Sequence, residues 1–514
     1  MSPSHACTAA HPDARAEPRR QARTLVAVCL ACAAMPMTFT GPAVALGDIA
    51  DSFAASPIAL AWVTNAFMLA FGSSLMAAGA LADRLGRRRV FRAGLALFVG
   101  SSAALAAAPS LWCFDLLRAL QGLASAAIFA GGAALLAQAF DGPAHTRAFS
   151  WLGTSFGLGL VLGPVAAGQL ATAFGWRAIF ALVLVLAALA AGLGAGTLRE
   201  SRTPQAGAFD WRGATSFTLA LTALTCAVLQ AAARGWANAP VALGLLTAAL
   251  LFAAFVRTEH RAPQPMLDLS LLRYRRFIGV QCLAAAPAYA YVVLLVLLPA
   301  RFAGIEGASP AVAGWRMAAL SAPLMVLPIA AGLLTRWFAP ATLCGAGLLG
   351  AAGGLFWLAH AAGAQALVAM ALIGTGISLP WGLMDGLALS VVPRERAGMA
   401  AGIFSTTRVA GEGVALALVG TALAGLVRMQ LPAGEPMAAV AQQLAGGRLQ
   451  AAAALAPGLS AQALARAYEQ AFSWLLLGLS SITLLTAAVV FLSLRHGNRQ
   501  AEARQPTGES TAHP

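Results

Sequence analysis

The sequence predicts an all-α polytopic membrane protein with fourteen transmembrane helices grouped six, two and six. Three observations carry this expectation. The 514 residues are 59% hydrophobic and only 10% charged, less charge than a soluble fold of this length carries. Fourteen apolar runs are long enough to cross the hydrocarbon core of a bilayer, which takes about 20 helical residues. The net charge is +14, and all 33 basic residues are Arg, spread through short connections rather than gathered into a patch with aromatics. That spread fits orientation in a membrane and argues against nucleic-acid binding.

In chain order the expected spans are 24–46, 57–80, 90–108, 112–139, 148–172, 176–198, 211–230, 238–256, 277–299, 311–334, 341–360, 365–391, 398–427 and 471–494. Arg15, Arg19, Arg20 and Arg23 precede the first run as in a signal peptide. The run is longer than the usual apolar region of such a peptide, so it is expected to remain as a helix rather than be cleaved near Ala43-Val44-Ala45. With the N-terminus inside, the cytoplasmic side collects Arg84 to Arg92, Arg199 to Arg212, Arg257 to Arg276, Arg394 with Arg396, and Arg495 to Arg504, while Arg177, Arg234 and Arg301 stand alone outside. An even number of crossings returns the C-terminus to the cytoplasm.

The expected organisation is a cytoplasmic tail at 1–23, a six-helix bundle at 24–200, two inserted helices at 201–260, a second six-helix bundle at 261–496 and a cytoplasmic tail at 497–514. The Ala-rich loop 428–470 reads as one or two amphipathic helices on the periplasmic face. The polar ends, 1–20 and 497–514, are expected to be disordered. Cys29-x-x-Cys32 has neither a second pair nor a nearby His, so it reads as two small apolar residues. No metal or cofactor is expected.

Between the second and third runs lies Gly79-Ala-Leu-Ala-Asp83-Arg84-Leu-Gly86-Arg87-Arg88-Arg89. Four Arg and one Asp in a stretch with two glycines exceed what an ordinary cytoplasmic loop needs. The glycines are expected to let two helix ends approach closely, and Asp83 either to face the positive N-terminus of a neighbouring helix or to pair with an Arg. The spacing resembles the G-x-L-a-D-r-x-G-r-[rk] signature of the major facilitator superfamily, and the reading is a cytoplasmic latch between helices that part and re-form. The equivalent stretch of the second half, Gly332 to Pro340, lacks the Asp and the second Gly.

Charges inside spans are costly, about 2.5–3.5 kcal/mol on insertion scales, and are rarely idle. Asp115 and Arg118 stand three apart on one face of the fourth helix and can pair, and Gln121 continues that face. Leu117-Arg118-Ala-Leu-Gln121-Gly122 resembles the l-R-x-x-q-G motif of the same superfamily, whose Arg is tied to proton coupling. The plain alternative is an ion pair that only fixes packing. In the second half Arg408 and Glu412 share a face, and Asp385 lies near the cytoplasmic end. A carboxylate in an apolar cavity can load and release protons near neutral pH, and an Arg that approaches and withdraws would switch it. All seven His fall in predicted loops or helix ends, which leaves no intramembrane His relay.

The fifth helix carries Gly153, Gly157, Gly163, Pro164 and Gly168, a small-residue groove with a bend point. With Phe174-Gly175-Trp176-Arg177-x-x-Phe180 it is similar to the antiporter motif of proton-coupled exporters, although Ala167 replaces the first of that motif's paired glycines. Phe209-Asp210-Trp211-Arg212-Gly213 and Pro265-Met266-Leu267-Asp268-Leu269 look like the fourteen-helix drug:proton antiporter family. The resemblance covers about residues 24–494. It implies a rocker-switch fold, a central cavity, and efflux of cationic or amphipathic compounds in exchange for protons. One departure stands out: Thr38 occupies the position where this family usually has a first-helix Asp. Asp48 and Asp51 lie beyond that helix and are expected only to solvate the outer loop.

Met35, Met37, Phe39, Trp62, Asn65, Gln121, Phe129, Tyr289, Tyr291, Trp381 and Met384 are the candidate cavity lining, because Met and aromatic faces suit varied apolar ligands. The resulting expectation is a proton-driven exporter of drugs or other small amphipathic molecules in a bacterial inner membrane, with both termini cytoplasmic. The alternative is a transporter of one specific metabolite such as an organic acid or sugar. No catalytic Ser/His/Asp set or nucleotide loop suggests an enzyme. The partners implied are the lipid bilayer, protons and a small-molecule substrate, with a periplasmic adaptor left open and a monomer expected.

Overall fold

The computed structural model describes residues 16–195, 198, 200, 210–262, 267, 269–392, 397–434 and 436–495. The expectations for the far ends of both tails, and the residues Arg199, 201–209, Pro263, Pro265, Met266, Asp268, Arg394 and Arg396, lie outside the described residues.

The described residues form helices and connections with no strand among them. Fourteen helices are long and apolar enough to cross a membrane: α1 Pro18–Val44, α2 Pro57–Leu85, α3 Arg87–Ala106, α4 Leu111–Ala139, α5 Arg147–Phe174, α6 Arg177–Gly194, α7 Trp211–Ala232, α8 Ala239–Arg261, α9 Arg275–Gly304, α10 Pro310–Leu334, α11 Pro340–Leu358, α12 Ala364–Ala388, α13 Gly402–Gln430 and α14 Ala461–Leu494. Lipid offers no partner to a backbone N–H or C=O, so each span must satisfy its own, which makes helices the forced solution for runs this apolar. Short polar signals set the starts. The Ser56 hydroxyl accepts from Ala59 N and Pro57 opens α2; Ser110 accepts from Cys113 N at α4; Asp210 accepts from Gly213 N at 2.8 Å at α7. The Asp-Trp-Arg-Gly linker motif is thus a helix cap.

Prolines shape the second half. Behind Pro287, α9 loosens into one π-helical turn, Ala288–Val292. The α10 span divides at Ala322 before Pro323. After Pro380 the α12 span breaks at Gly382 and Leu383 and resumes as Met384–Ser390. The expected loop 428–470 contains two short helices, Met437–Ala445 and Leu449–Leu455, and the first turns of α14.

Within the first half α2 packs on α4, α3 on α4, and α1 on α5 and α6; within the second, α11 packs on α12 and α14. Helices α7 and α8 pack on each other, and α7 reaches both α2 and α13. Among the described residues the main contacts between the first six spans and the last six are α1 with the Leu294–Gly304 part of α9, α2 with α13, and α5 with α10.

The α5–α10 pair shows what the small residues do. A Cβ on Gly168 would strike the Pro310 carbonyl, and one on Gly314 would strike that of Pro164. On the opposite side of α5, Gly163 abuts Thr40 and Met37 of α1. A Cβ on Gly157 would lie 3.3 Å from the Leu324 carbonyl, whereas one on Gly153 of α5 or Gly332 of α10 would meet nothing within 4 Å. The halves are therefore closed along α5 and α10 at the end away from the Arg-rich loop.

Candidate functional site

The Arg-rich loop is built around Gly86, which ends α2 and precedes α3 with φ of +112°. Asp83 pairs with Arg87, four residues on, at 3.1 Å, rather than facing another helix's N-terminus. That place is taken by Glu200, whose carboxylate accepts from Arg88 N at 3.2 Å and lies 3.6 Å from Arg89. A Cβ on Gly86 would meet only the flexible end of that carboxylate, which can move aside, so it is the φ that requires glycine. Gly79 makes no such approach, and Arg84 is the basic residue of the last α2 turn, where it complements the helix dipole. Glu200→Ala should leave the first turn of α3 uncapped and cost about 1 kcal/mol, read as a lower thermal midpoint in detergent. An unchanged midpoint would remove this cap. In the second half the Thr335 hydroxyl donates to Gly332 O where the first loop has its ion pair.

Arg118 is 0% exposed and is the largest fully buried side chain. Its guanidinium does not pair with Asp115. It donates to the carbonyls of Val63 on α2 (2.8 Å) and Thr38 on α1 (2.9 Å) and to Gln121 Oε1 (2.7 Å), and it lies 4.6 Å from the centre of the Phe67 ring. Gln121 in turn donates to Ser102 on α3 at 2.8 Å. One planar group with several fixed donors thus ties four helices together, a geometry Lys could not reproduce. Asp115 Oδ1 and Thr38 Oγ1 are buried without hydrogen-bond partners. Thr38 thus meets Arg118 through its backbone carbonyl and not through its side chain.

In the second half Arg408 is 3.5 Å from Asp385, not beside Glu412, and lies over Trp381 and Phe404 at 5.8 and 5.7 Å. Asp385 is 65% exposed, as its place near a helix end suggests. Glu412 is 7% exposed. Its neighbours on α13 are inter-half contacts: Ala410 meets Gly72 of α2, and Gly413 meets Met68. So α2 carries the Arg118 contacts Val63 and Phe67 on one side and the surroundings of Glu412 on the other.

The candidate cavity residues divide. Phe39, Phe67, Phe71, Phe129 and Phe156 form a continuous aromatic ladder across α1, α2, α4 and α5. Tyr291 packs edge-on to Trp381 at 6.3 Å. Met35 and Met384 are fully buried core, and Met37 nearly so. Trp62 is wedged against Val228, Leu229 and Ala417, between α7 and α13. Gln121 is consumed by Arg118 and Ser102, and the Tyr289 hydroxyl by Thr486 of α14 at 2.5 Å. Asn65 lines a separate cavity at the end opposite the Arg-rich loop.

Residues 26–416 match the model of the Major Facilitator Superfamily. The chain belongs to that superfamily. It is 33% identical over 386 residues to the multidrug resistance protein Stp of Mycobacterium tuberculosis, covering 74% of this chain and 72% of the relative. It is 30% identical to the tetracenomycin C resistance and export protein of Streptomyces glaucescens, over 79% and 76% of the two chains. It is 29% identical to the multidrug efflux pump LfrA of Mycolicibacterium smegmatis, over 90% and 94%. Among solved structures, a bacterial homologue of the human lysosomal transporter Spinster, in an inward-facing and unoccupied conformation, aligns over 93% of this chain and 98% of its own with a TM-score of 0.63 at 17% identity. That likeness shows the shared fold.

Three features of this superfamily member escaped sequence reasoning. Glu200 had no local signal tying it to a loop 112 residues earlier. The π-helical turn that aims Tyr291 at Trp381 follows Pro287, which was the available cue. The third lies at the closed end. Arg448 donates to the Ala55 carbonyl and to Asp51, both at 2.9 Å, strapping the loop of the second half onto the first. Asp51 is therefore an anchor and not mere solvation, while burial, and then the Asp51 charge, push the Asp48 carboxyl up from its ordinary value. Beside the strap an aromatic cluster of Phe53, Phe114, Trp176 and Phe180 holds the first half's end, with Trp176 donating to Ser52. Ala167, at the antiporter motif's glycine position, fits because it faces Gly41 of α1. In Arg448→Ala, amide hydrogen exchange across residues 51–55 is expected to quicken several-fold. Unaltered exchange would show that the strap holds nothing.

Proposed function

We propose that this chain expels drugs or other small amphipathic molecules across the bacterial inner membrane, in exchange for protons, by alternating access. Three relatives whose names carry drug resistance or efflux support the substrate class. The observation that carries the coupling is Glu412, a buried carboxylate on α13 whose chain neighbours Ala410 and Gly413 approach Gly72 and Met68 of α2. Ionised there, it opposes close packing of the halves; protonated, it permits it. Arg118 holds α1, α2, α3 and α4 as one block, so a change at the α2–α13 contact moves the first half as a unit. Arg408 and Asp385 sit one turn and one helix away and adjust the field at Glu412 as the halves tilt.

The two six-helix bundles are the moving bodies, with α7 and α8 as the inserted pair. In this reading both termini and the Gly79–Arg89 latch lie in the cytoplasm, which the Arg-rich connections support. The closed end is then periplasmic, and the conformation is inward-facing. The aromatic ladder of the first half and the Tyr291–Trp381 pair of the second supply apolar, polarisable walls for the substrate. The chain acts as a monomeric carrier rather than an enzyme.

Inverted membrane vesicles test this directly. With ethidium as the probe, dye should accumulate inside energised vesicles, and a protonophore should stop accumulation. Dye movement in the opposite sense, or accumulation indifferent to the protonophore, would overturn the proposal.

A further inference from the structure

The first turns of α3 carry Arg87, Arg88, Arg89 and Arg92, and their charges are unevenly met. Arg87 pairs with Asp83. The other three share Glu200. Arg89 lies 3.6 Å from that carboxylate, and Arg88 meets it through its backbone N–H alone. The Arg92 side chain makes no ion pair or hydrogen bond among the described residues. Arg88, Arg89, Arg92 and Glu200 line an open-sided cavity of about 430 Å³, within the roughly 300–1,000 Å³ of small-molecule sites. Three guanidinium charges against one carboxylate leave its walls with two positive charges in surplus. The positive end of the α3 backbone adds nothing to this, because Glu200 already occupies it.

The place of the cavity says what meets it. Helix α3 has 20 residues, about 30 Å, which is the thickness of the hydrocarbon core. Its exposed positions recur every three or four residues, through Arg89, Arg92, Ala96, Gly100 and Ala103, so one face looks outward along its whole length. That face is charged in its first two turns and apolar beyond them. The cavity therefore stands where hydrocarbon gives way to head groups. Helix α6 packs beside α3 and exposes Val185, Leu189 and Gly192. A Cβ on Gly100 or on Gly192 would meet nothing within 4 Å, so open apolar surface continues from the cavity along both helices.

We infer that this cavity binds the head group of a diphosphatidyl lipid such as cardiolipin. Two phosphodiester groups match the two surplus positive charges, and guanidinium groups bind phosphate oxygens through paired N–H donors. The acyl chains lie along the outer faces of α3 and α6. A lipid with one phosphate leaves one charge of the wall unmet, and a free anion makes no use of the apolar surface.

Native mass spectrometry of the delipidated full chain, titrated with tetraoleoyl cardiolipin, dioleoyl phosphatidylglycerol or inorganic pyrophosphate, tests the assignment. One Arg close to an anionic head group is worth about fivefold in affinity. Arg88→Gln combined with Arg92→Gln should therefore weaken binding of the first cardiolipin about 25-fold, and that of phosphatidylglycerol less. Arg273→Gln combined with Arg275→Gln removes two exposed Arg at the start of α9, on the same side of the protein, and should leave cardiolipin binding unchanged. Glu200→Gln removes the opposing charge and should tighten cardiolipin binding about fivefold, a gain that a damaged wall would not produce. Equal losses in the two double variants would reduce the effect to general surface charge and overturn the inference. So would weaker or unaltered binding in Glu200→Gln, or displacement of cardiolipin by pyrophosphate at equal concentration.

Discussion

Arg118→Ala should reduce dye efflux to the level of cells without the protein and should also lower the thermal midpoint of the purified chain. The guanidinium satisfies two backbone carbonyls and one amide oxygen in a site with no solvent. Hydrogen bonds to a charged group are worth about 1.5–3 kcal/mol each, and removing the donor leaves buried acceptors unmet. Arg118→Lys should fail nearly as badly, because one ammonium cannot span Val63 O, Thr38 O and Gln121 Oε1 together. Gln121→Leu should fall between, since Arg118 keeps its carbonyl partners and Ser102 loses its donor. Efflux and thermal midpoint are measured on the same membranes and the same purified protein. Wild-type behaviour of Arg118→Ala in both would dismiss the block of four helices on which the tilting mechanism depends.

Glu412→Gln is expected to cut proton-driven accumulation at least about tenfold, equivalent to 1.4 kcal/mol of lost driving interaction, while leaving the fold intact. Glutamine keeps the volume at this buried position but cannot take up a proton. The distinguishing readout is exchange of internal for external dye in liposomes without a pH difference. That exchange needs only alternating access, so it should survive in Glu412→Gln. Loss of exchange together with accumulation would make Glu412 a packing residue instead. Asp385→Asn serves as the comparison: its carboxylate is mostly exposed and its partner Arg408 also stacks on two aromatic rings, so a small effect is expected.

The residues of the proposed coupling site were legible in place but not in partner. That Arg118 and Glu412 sit inside spans follows from hydropathy alone, because a charge among apolar residues is conspicuous in any linear scan. That Asp115 and Arg118 share a helical face is equally plain, yet the pair does not form. Helical spacing says which side chains are neighbours on one surface, and it is silent on what another helix presents to that surface. Two carbonyls from α1 and α2 reached the guanidinium instead. The same holds for Arg408, whose i+4 neighbour Glu412 lost to Asp385 on α12, and for the cavity residues Gln121 and Tyr289, whose polar ends were taken by Ser102 and Thr486.

By itself the sequence determined the number, place and kind of the helices, the Arg-rich loop and the superfamily, because lipid makes each span satisfy its own backbone and so writes the fold class into local hydropathy. The tertiary structure alone decided the partners. The Arg118 bonds cross 55 and 80 residues, the Glu200 cap 112, and the Arg448 strap 393. At such separations a contact exists only once the helices have chosen their neighbours, and that choice rests on close approaches such as Gly72 to Ala410 and Gly168 to Pro310, which no local pattern specifies.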